Sequence, residues 1–204
     1  MEDREDRLYV WFDTEYSDLD LEAAALLQVA AVITDGALTR VLPASSDVRL
    51  AVRLADGTAL SQWVEEYFER LIAVCRSPAA ASLEEADARL SAYVEAAQEA
   101  SGRCRDGRPV LAGNSVHADW RLACRFLPRF AGRLHYRHLD VTAFKLEWKR
   151  RSPEAEFEKG DPATIRAHFA DAVLPEDMGR HDAYYDVQAS IAEMAFYREH
   201  LLRR

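Results

Sequence analysis

Residues 8–13 (LYVWFD) are an apolar and aromatic run that ends on an acid, and they read as a buried central strand. Residues 26–35 (LLQVAAVITD) form a second β-branched run. Asp35-Gly36 marks a turn into a third strand, over either 38–42 or 48–54. From Ser61 to Val74 the apolar spacing becomes helical. Ser82-Leu-Glu-Glu85 has the form of a capping box, in which serine and glutamate satisfy each other's backbone amides, and it opens a helix to about Ala100. A polar loop (101–109) leads to a short strand at 110–112. Asn114 or Ser115 then caps a helix through about Leu127, where Pro128 stops it. Residues 135–139 read as a strand, and Asp140 caps a helix over 141–151. Asp161-Pro162 joins an N-cap to a proline at the first helical position and starts a helix to about Asp171. From His181 to Arg204, Val187, Ile191, Met194 and Leu201 share a face, which predicts a long amphipathic helix. Three strands followed by alternating helices and strands give an α/β class with a mixed sheet, in one domain over residues 1–204.

Composition narrows the function. The chain has 204 residues, 49% hydrophobic and 30% charged, which is the balance of a globular protein. Lys plus Arg is 26 against 35 for Asp plus Glu, a formal charge of -9. A passive binder of long duplex nucleic acid needs a basic face that displaces counterions from many phosphates, so that class is disfavoured. A short nucleic-acid substrate held through metal ions is not. No apolar run reaches the roughly 20 residues of a membrane helix, and the acidic start MEDREDR lacks a targeting pattern. Cys75, Cys104 and Cys124 are odd in number and lack C-x-x-C spacing, as expected of reduced thiols in the cytoplasm.

The sharpest local feature is Asp13-Thr14-Glu15 at the end of the first strand. Side chains in a strand alternate, so both carboxylates project from one face. Two such acids repel each other and lose hydration. A hard divalent cation, Mg²⁺ or Mn²⁺, relieves both problems, whereas a solvated turn would relieve them without a ligand. Asn114 to Asp119 adds a carboxylate one turn into a helix, and His181-Asp-Ala-Tyr-Tyr-Asp186 adds a histidine and an acid. Five helical residues turn through about 500°, so His181 and Asp186 reach one site only if His181 lies in the loop before the helix. Singly, each acid also fits a solvated helix face.

In order, Asp13-x-Glu15, Gly113-Asn-Ser-x-x-x-Asp119 and His181-x-Ala-x-x-Asp186 resemble the DEDDh group of 3'-to-5' exonucleases, and within it the oligoribonucleases. The match is densest at 112–119 (AGNSVHAD), 135–141 (HYRHLDV) and 195–200 (AFYREH). The His-Tyr-Arg-x-Leu-Asp-Val signature separates oligoribonucleases from proofreading subunits and ribonuclease T. There are departures. Asp13-Thr-Glu-Tyr-Ser-Asp-Leu19 lacks the family's Thr-Gly corner, residues 41–108 match poorly, and the 151–180 connection is long.

The resemblance implies an RNase H-like exonuclease fold, a mixed five-stranded sheet flanked by helices. It implies two divalent ions, Mg²⁺ or Mn²⁺, on Asp13, Glu15, Asp119 and Asp186, with His181 as general base and 5'-mononucleotides as products. Leu19 and Trp63 match a wedge between bases, although Trp63 equally fits the core face of a helix. Ser115 and Thr142 match hydroxyls near the substrate. His135, Tyr136 and Arg137 match a phosphate-binding cap contributed by the partner subunit of a homodimer, although this segment also fits a polar edge strand. The implied substrate is very short RNA, down to dinucleotides. The alternatives are a related exonuclease trimming longer single-stranded RNA or DNA, and a catalytically silent nucleotide-binding protein on the same fold.

Overall fold

The computed structural model describes residues 7–102, 107–152, 154–175 and 181–202. Cys104, most of the loop before His181 and the last two residues lie outside that set. Five strands form one sheet, β1 (Tyr9–Tyr16), β2 (Leu26–Thr34), β3 (Val48–Ala51), β4 (Val110–Gly113) and β5 (His138–Asp140), in the order β3-β2-β1-β4-β5. Strands β1, β2 and β3 pair antiparallel, and β1, β4 and β5 pair parallel, so the expected mixed α/β sheet is present. Every residue of β2 is buried, because helices cover both sides of the sheet.

The alternation of β1 feeds two cores. Val10 and Phe12 pack with α3 (Leu83–Ala100), α4 (Val116–Phe126) and α5 (Pro128–Ala131) through Leu90, Leu122 and Phe130. Trp11 faces α6 (Val141–Arg151), α7 (Pro162–His168) and α8 (Ala183–Tyr197) through Trp148, Ile165 and Tyr185. A third, smaller cluster joins Leu27 and Leu54 to Phe68, Ile72 and Cys75.

Several expectations are met at atomic detail. The Ser82–Glu85 capping box is formed in both directions. Asp140 accepts from the Thr142 amide, and Asp161 from Ala163 and Thr164. Others need correction. Of the two spans offered for the third strand, the later one forms as β3, while between 38 and 42 only a bridge from Thr34 to Arg40 forms, ahead of a 3₁₀ turn at Ala44–Ser46. The helix expected over 61–74 breaks at Phe68, whose ring turns into the third cluster, leaving α1 (Gln62–Tyr67) and α2 (Glu69–Cys75). Residues 135–137 precede β5 rather than belonging to it. Ser115 sits at the N-cap of α4 with a left-handed φ of 52°, yet its side chain makes no capping bond.

The largest correction concerns α8. It is buried over nearly its whole length rather than on one face, because α6 and α7 pack over the side turned away from the sheet. Its buried polar groups are paired: Gln188 bonds the Val173 backbone through both amide atoms, and Glu193 accepts from Asn114 and Tyr197. Among the described residues no helix is long and apolar enough to cross a membrane.

Gly113 shows how tightly the sheet end is built. A Cβ there would stand 2.9 Å from the Phe12 carbonyl oxygen, a backbone atom that cannot swing aside. Gly113→Ala should therefore lower unfolding free energy by about 1–3 kcal/mol, read as a shifted urea midpoint at unchanged slope. An unchanged midpoint would show that β1 and β4 can separate at no cost.

Candidate active site

Strand β4 pairs with β1 only along Tyr9–Trp11, so β1 runs on alone on that side for the length of Asp13–Glu15. The chain leaves β1 for β2 and leaves β4 for β5, in opposite directions across the sheet. Ligands of open α/β sheets bind at such reversal points, beyond the carboxyl ends of the strands. The β1–β2 ladder is also irregular between Glu15 and Tyr16, a local kink of the kind that re-aims side chains beside sites.

Alternation puts Asp13 and Glu15 on the α8 side and Thr14 on the α4 side. The Thr14 hydroxyl donates to Asp119 Oδ1 at 2.7 Å, which ties the first turn of α4 to the strand. Asp186 lies in the first turn of α8. That helix start is anchored from β2: Gln28 accepts from the Ala183 amide at 2.9 Å and donates to Asp182 at 3.2 Å. Arg49 of β3 pairs with the same Asp182 at 2.8 Å. His181 precedes the helix, as its shared site with Asp186 requires, in a left-handed conformation at φ 67°. Its backbone N–H donates to Asp186 Oδ2 at 3.1 Å. One ligand atom each of Glu15, His181 and Asp186 lie within 4.8 Å of one another, an oxygen-rich set suited to a hard divalent cation.

These groups line one cleft of about 560 Å³ together with Asp13, Asp119, Ser115, Leu19 and Trp63. Leu19 is 90% exposed and Trp63 54%, so Trp63 is a rim residue rather than core. The missing Thr-Gly corner is replaced by Asx turns: Asp18 accepts from the Asp20 amide and Asp20 from Glu22, and Leu19 still reaches the cleft. Thr142 stands one step back. Its hydroxyl accepts from the Ser115 amide at 2.8 Å and lies 3.3 Å from the Asn114 side-chain oxygen. His135, Tyr136 and Arg137 do not line this cleft; His135 stacks on Tyr136 at 4.5 Å, with Arg137 over the Tyr136 ring.

Three further contributors escaped the sequence. Tyr67 and Phe68 meet the His181 ring at right angles, Tyr67 with 5.1 Å between centroids, and Trp63 stacks on Tyr67. Lys159 Nζ pairs with Asp186 Oδ1 at 2.8 Å from within the long connection. Thr14 was visible inside the acidic triplet, and the period of two places it opposite both acids, but its partner on α4 was not.

Burial and mutual repulsion raise the carboxyl pKa values. Burial, then the charges of Asp119, Asp186 and Glu15, push Asp13 well above the ordinary carboxylate range. Burial, then Asp186, Asp182 and Asp119, push Glu15 up to about 8, with Lys159 opposing. Burial pushes Asp119 up to about 7 against the hydrogen bond from Thr14. The folded, metal-free protein thus binds these protons more tightly than the unfolded chain. This contribution to stability is present at acidic pH and is lost as pH rises from the ordinary carboxylate range through about 7 to 8. The metal-free Tm should therefore fall between about pH 5 and pH 8, and Mn²⁺ should raise Tm more at the upper end, where the ligands are ionised. Scanning calorimetry with and without Mn²⁺ measures both, and a metal-free Tm that rises across this window would contradict the crowding of the acids.

The exonuclease family model of the RNase_T type matches residues 10–194. The chain is 31% identical over 191 residues to the oligoribonuclease of Streptomyces coelicolor, covering 93% of this chain and 84% of that protein. It is 29% identical over 198 residues to the mitochondrial oligoribonuclease of Homo sapiens, covering 96% and 73%. Among solved structures, exonuclease I from Methylocaldum szegediense superposes with a TM-score of 0.68 at 17% identity, over 97% of this chain and 41% of that one. Cell-death related nuclease 4 does so with a TM-score of 0.58 at 13% identity, over 96% and 64%. These two show the shared fold. With the family model spanning β1 to α8 and the oligoribonucleases matching along nearly the whole chain, this protein belongs to the exonuclease family and, within it, to the oligoribonucleases.

Proposed function

We propose that this protein is a 3'-to-5' exoribonuclease that cuts very short RNA, down to dinucleotides, into 5'-mononucleotides. The observation that carries this reading is the gathering of Asp13, Glu15, Asp119, Asp186 and His181 in one cleft with an exposed leucine and tryptophan. Two divalent ions, Mg²⁺ or Mn²⁺, held by the four carboxylates would supply an activated water and charge for an in-line displacement at phosphorus. His181 takes the proton from the attacking water as general base. Its ring is kept in place by Tyr67 and Phe68, and its backbone by Asp186. Trp63 and Leu19 present apolar faces to the bases, and stacking of this kind tolerates any sequence. The Ser115 backbone, held by Asp140 and Thr142, keeps the Ser115 hydroxyl beside the substrate.

The reading includes a homodimer. Tyr136 and Arg137 are exposed, His135 is half-buried, and all three lie away from the cleft of their own chain, which is the placement needed for a cap that closes the partner's site. An arginine fork with added Tyr and His donors suits a terminal phosphate. Within the long connection, helix α7 packs on α8 rather than at the cleft mouth, so that helix lends no support to the longer-substrate alternative. The buried Cys75 thiol, donating to the Leu27 carbonyl, fits a reducing compartment such as the cytoplasm.

End-labelled RNA dinucleotides and 20-mers, with and without Mn²⁺, test the reading. Metal-dependent cleavage of the dinucleotide well ahead of the 20-mer is expected, and the reverse preference would favour the trimming alternative. His181→Ala should lower turnover by about 10²–10⁴-fold with Tm and Mn²⁺ binding near wild type. Retained turnover would remove His181 from the chemistry.

Arg137→Ala and Asp13→Ala subunits test the shared cap. Each homodimer should be weak or inactive. In a verified heterodimer one site carries both defects and the other neither, so activity should return. No recovery, or a monomer in solution, would overturn the shared site.

A further inference from the structure

Lys159 occupies a place that the reading above does not use. Its side chain is largely buried, and its ammonium is 2.8 Å from Asp186 Oδ1, while the His181 amide takes Oδ2 of the same carboxylate. The lysine is not there by chance of a flexible stem. Its backbone carbonyl accepts from the Tyr185 hydroxyl at 3.0 Å, and its amide donates to the Phe157 carbonyl at 2.9 Å. Phe157 is buried in the core beneath α8, and two residues after Lys159, Asp161 caps α7. Both ends of this bend are tied down, and the side chain it presents is a cation aimed at a metal-ligand carboxylate.

Resting on the reading of the cleft as a two-metal nuclease site, we infer that Lys159 is a positioning residue with a charge role: it orients Asp186 and supplies positive charge beyond what two divalent ions bring to the four carboxylates. Four carboxylates carry four negative charges, and two divalent ions cancel them. The ammonium then remains over, equal and opposite to the single charge of one phosphodiester. In the metal-free protein the same ammonium neutralises part of the acid cluster. Removing it should expose the remaining repulsion and also remove a charge that repels incoming cations.

Lys159→Met keeps the apolar stem and deletes the charge, and Lys159→Arg keeps the charge. Relative to wild type, Lys159→Met should show a lower metal-free Tm and a larger rise in Tm on adding Mn²⁺. Its kcat/KM on an RNA dinucleotide should fall roughly 10- to 100-fold, the scale of one hydrogen bond to a charged group. The loss should lie mainly in kcat, because charge builds up in the transition state. Lys159→Arg should recover most of each effect. A lysine that merely clips the connection to α8 would lower Tm in Lys159→Met but leave the Mn²⁺-induced rise and kcat unchanged, and that result overturns the inference. If Lys159→Met does not fold, Lys159→Gln, which can still donate to Asp186 without charge, serves for the same comparison. A wild-type protein whose Tm does not respond to Mn²⁺ would overturn the metal-site reading itself, and this inference with it.

Discussion

Repulsion among carboxylates gathered at the open end of β1 is the constraint that the surrounding structure answers. Ionised acids in a partly dry cleft would drive the local fold apart unless each were held by a bond of its own. Asp119 is held by Thr14, Asp186 by the His181 amide and Lys159, and the start of α8 by Gln28 and Arg49. Burial first, and then neighbouring carboxylates, still hold Asp13, Glu15 and Asp119 above the ordinary carboxylate range. Crowded, buried carboxylates of this kind are relieved by protons or by cations, and a nuclease has use for the second.

The helix that carries Asp186 shows how far the fold goes to hold that arrangement. Helix α8 is wrapped by α6, α7 and the sheet, so its first turn cannot tilt without disturbing most of one core. The polar groups along it are not idle. Ser190 accepts from the Asn114 amide group, and Glu193 accepts from the same Asn114 and pairs with Lys145 at 3.3 Å. Asn114 lies at the end of β4, next to the Ser115 amide that Asp140 and Thr142 grip. A continuous set of bonds therefore links α8, α6 and the strand end beneath the cleft. Such satisfied buried networks rigidify a site, because each member would otherwise leave a neighbour unpaired in a low dielectric.

Local chemistry was legible in the sequence wherever the responsible residues are near each other in the chain. The capping box at Ser82, the Asp140 and Asp161 caps and the alternation that aligns Asp13 with Glu15 each depend on a window of a few residues. The motif order from Asp13 to Asp186 and its family resemblance picked out five residues that the fold gathers in the cleft. What the sequence did not reveal depends on distant partners. Phe68 breaks a helical pattern because a cluster with Leu27 and Leu54 awaits its ring. The buried outer face of α8 requires α7, which is brought there by a connection whose own sequence has no strong period. Lys159 lies in that connection among nearer acids such as Glu158 and Asp161, and local sequence does not single out the distant Asp186 as its partner.

The acidic surface and the small cleft bear on substrate length through one electrostatic argument. With a formal charge of -9, the protein repels a polyanion except where a local cation intervenes. Each added nucleotide brings another phosphate toward that surface, and at physiological salt the repulsion acts within about 8 Å. A dinucleotide keeps its one phosphodiester at the centre of the cleft, so it meets the local positive charge and little of the surrounding acid. A longer chain must lay its remaining phosphates along the exterior of a protein whose net charge is negative. Stacking on Trp63 and Leu19 adds affinity without adding charge, so under the proposed reading the chemistry of the rim and the charge of the surface favour the same end, the shortest RNA.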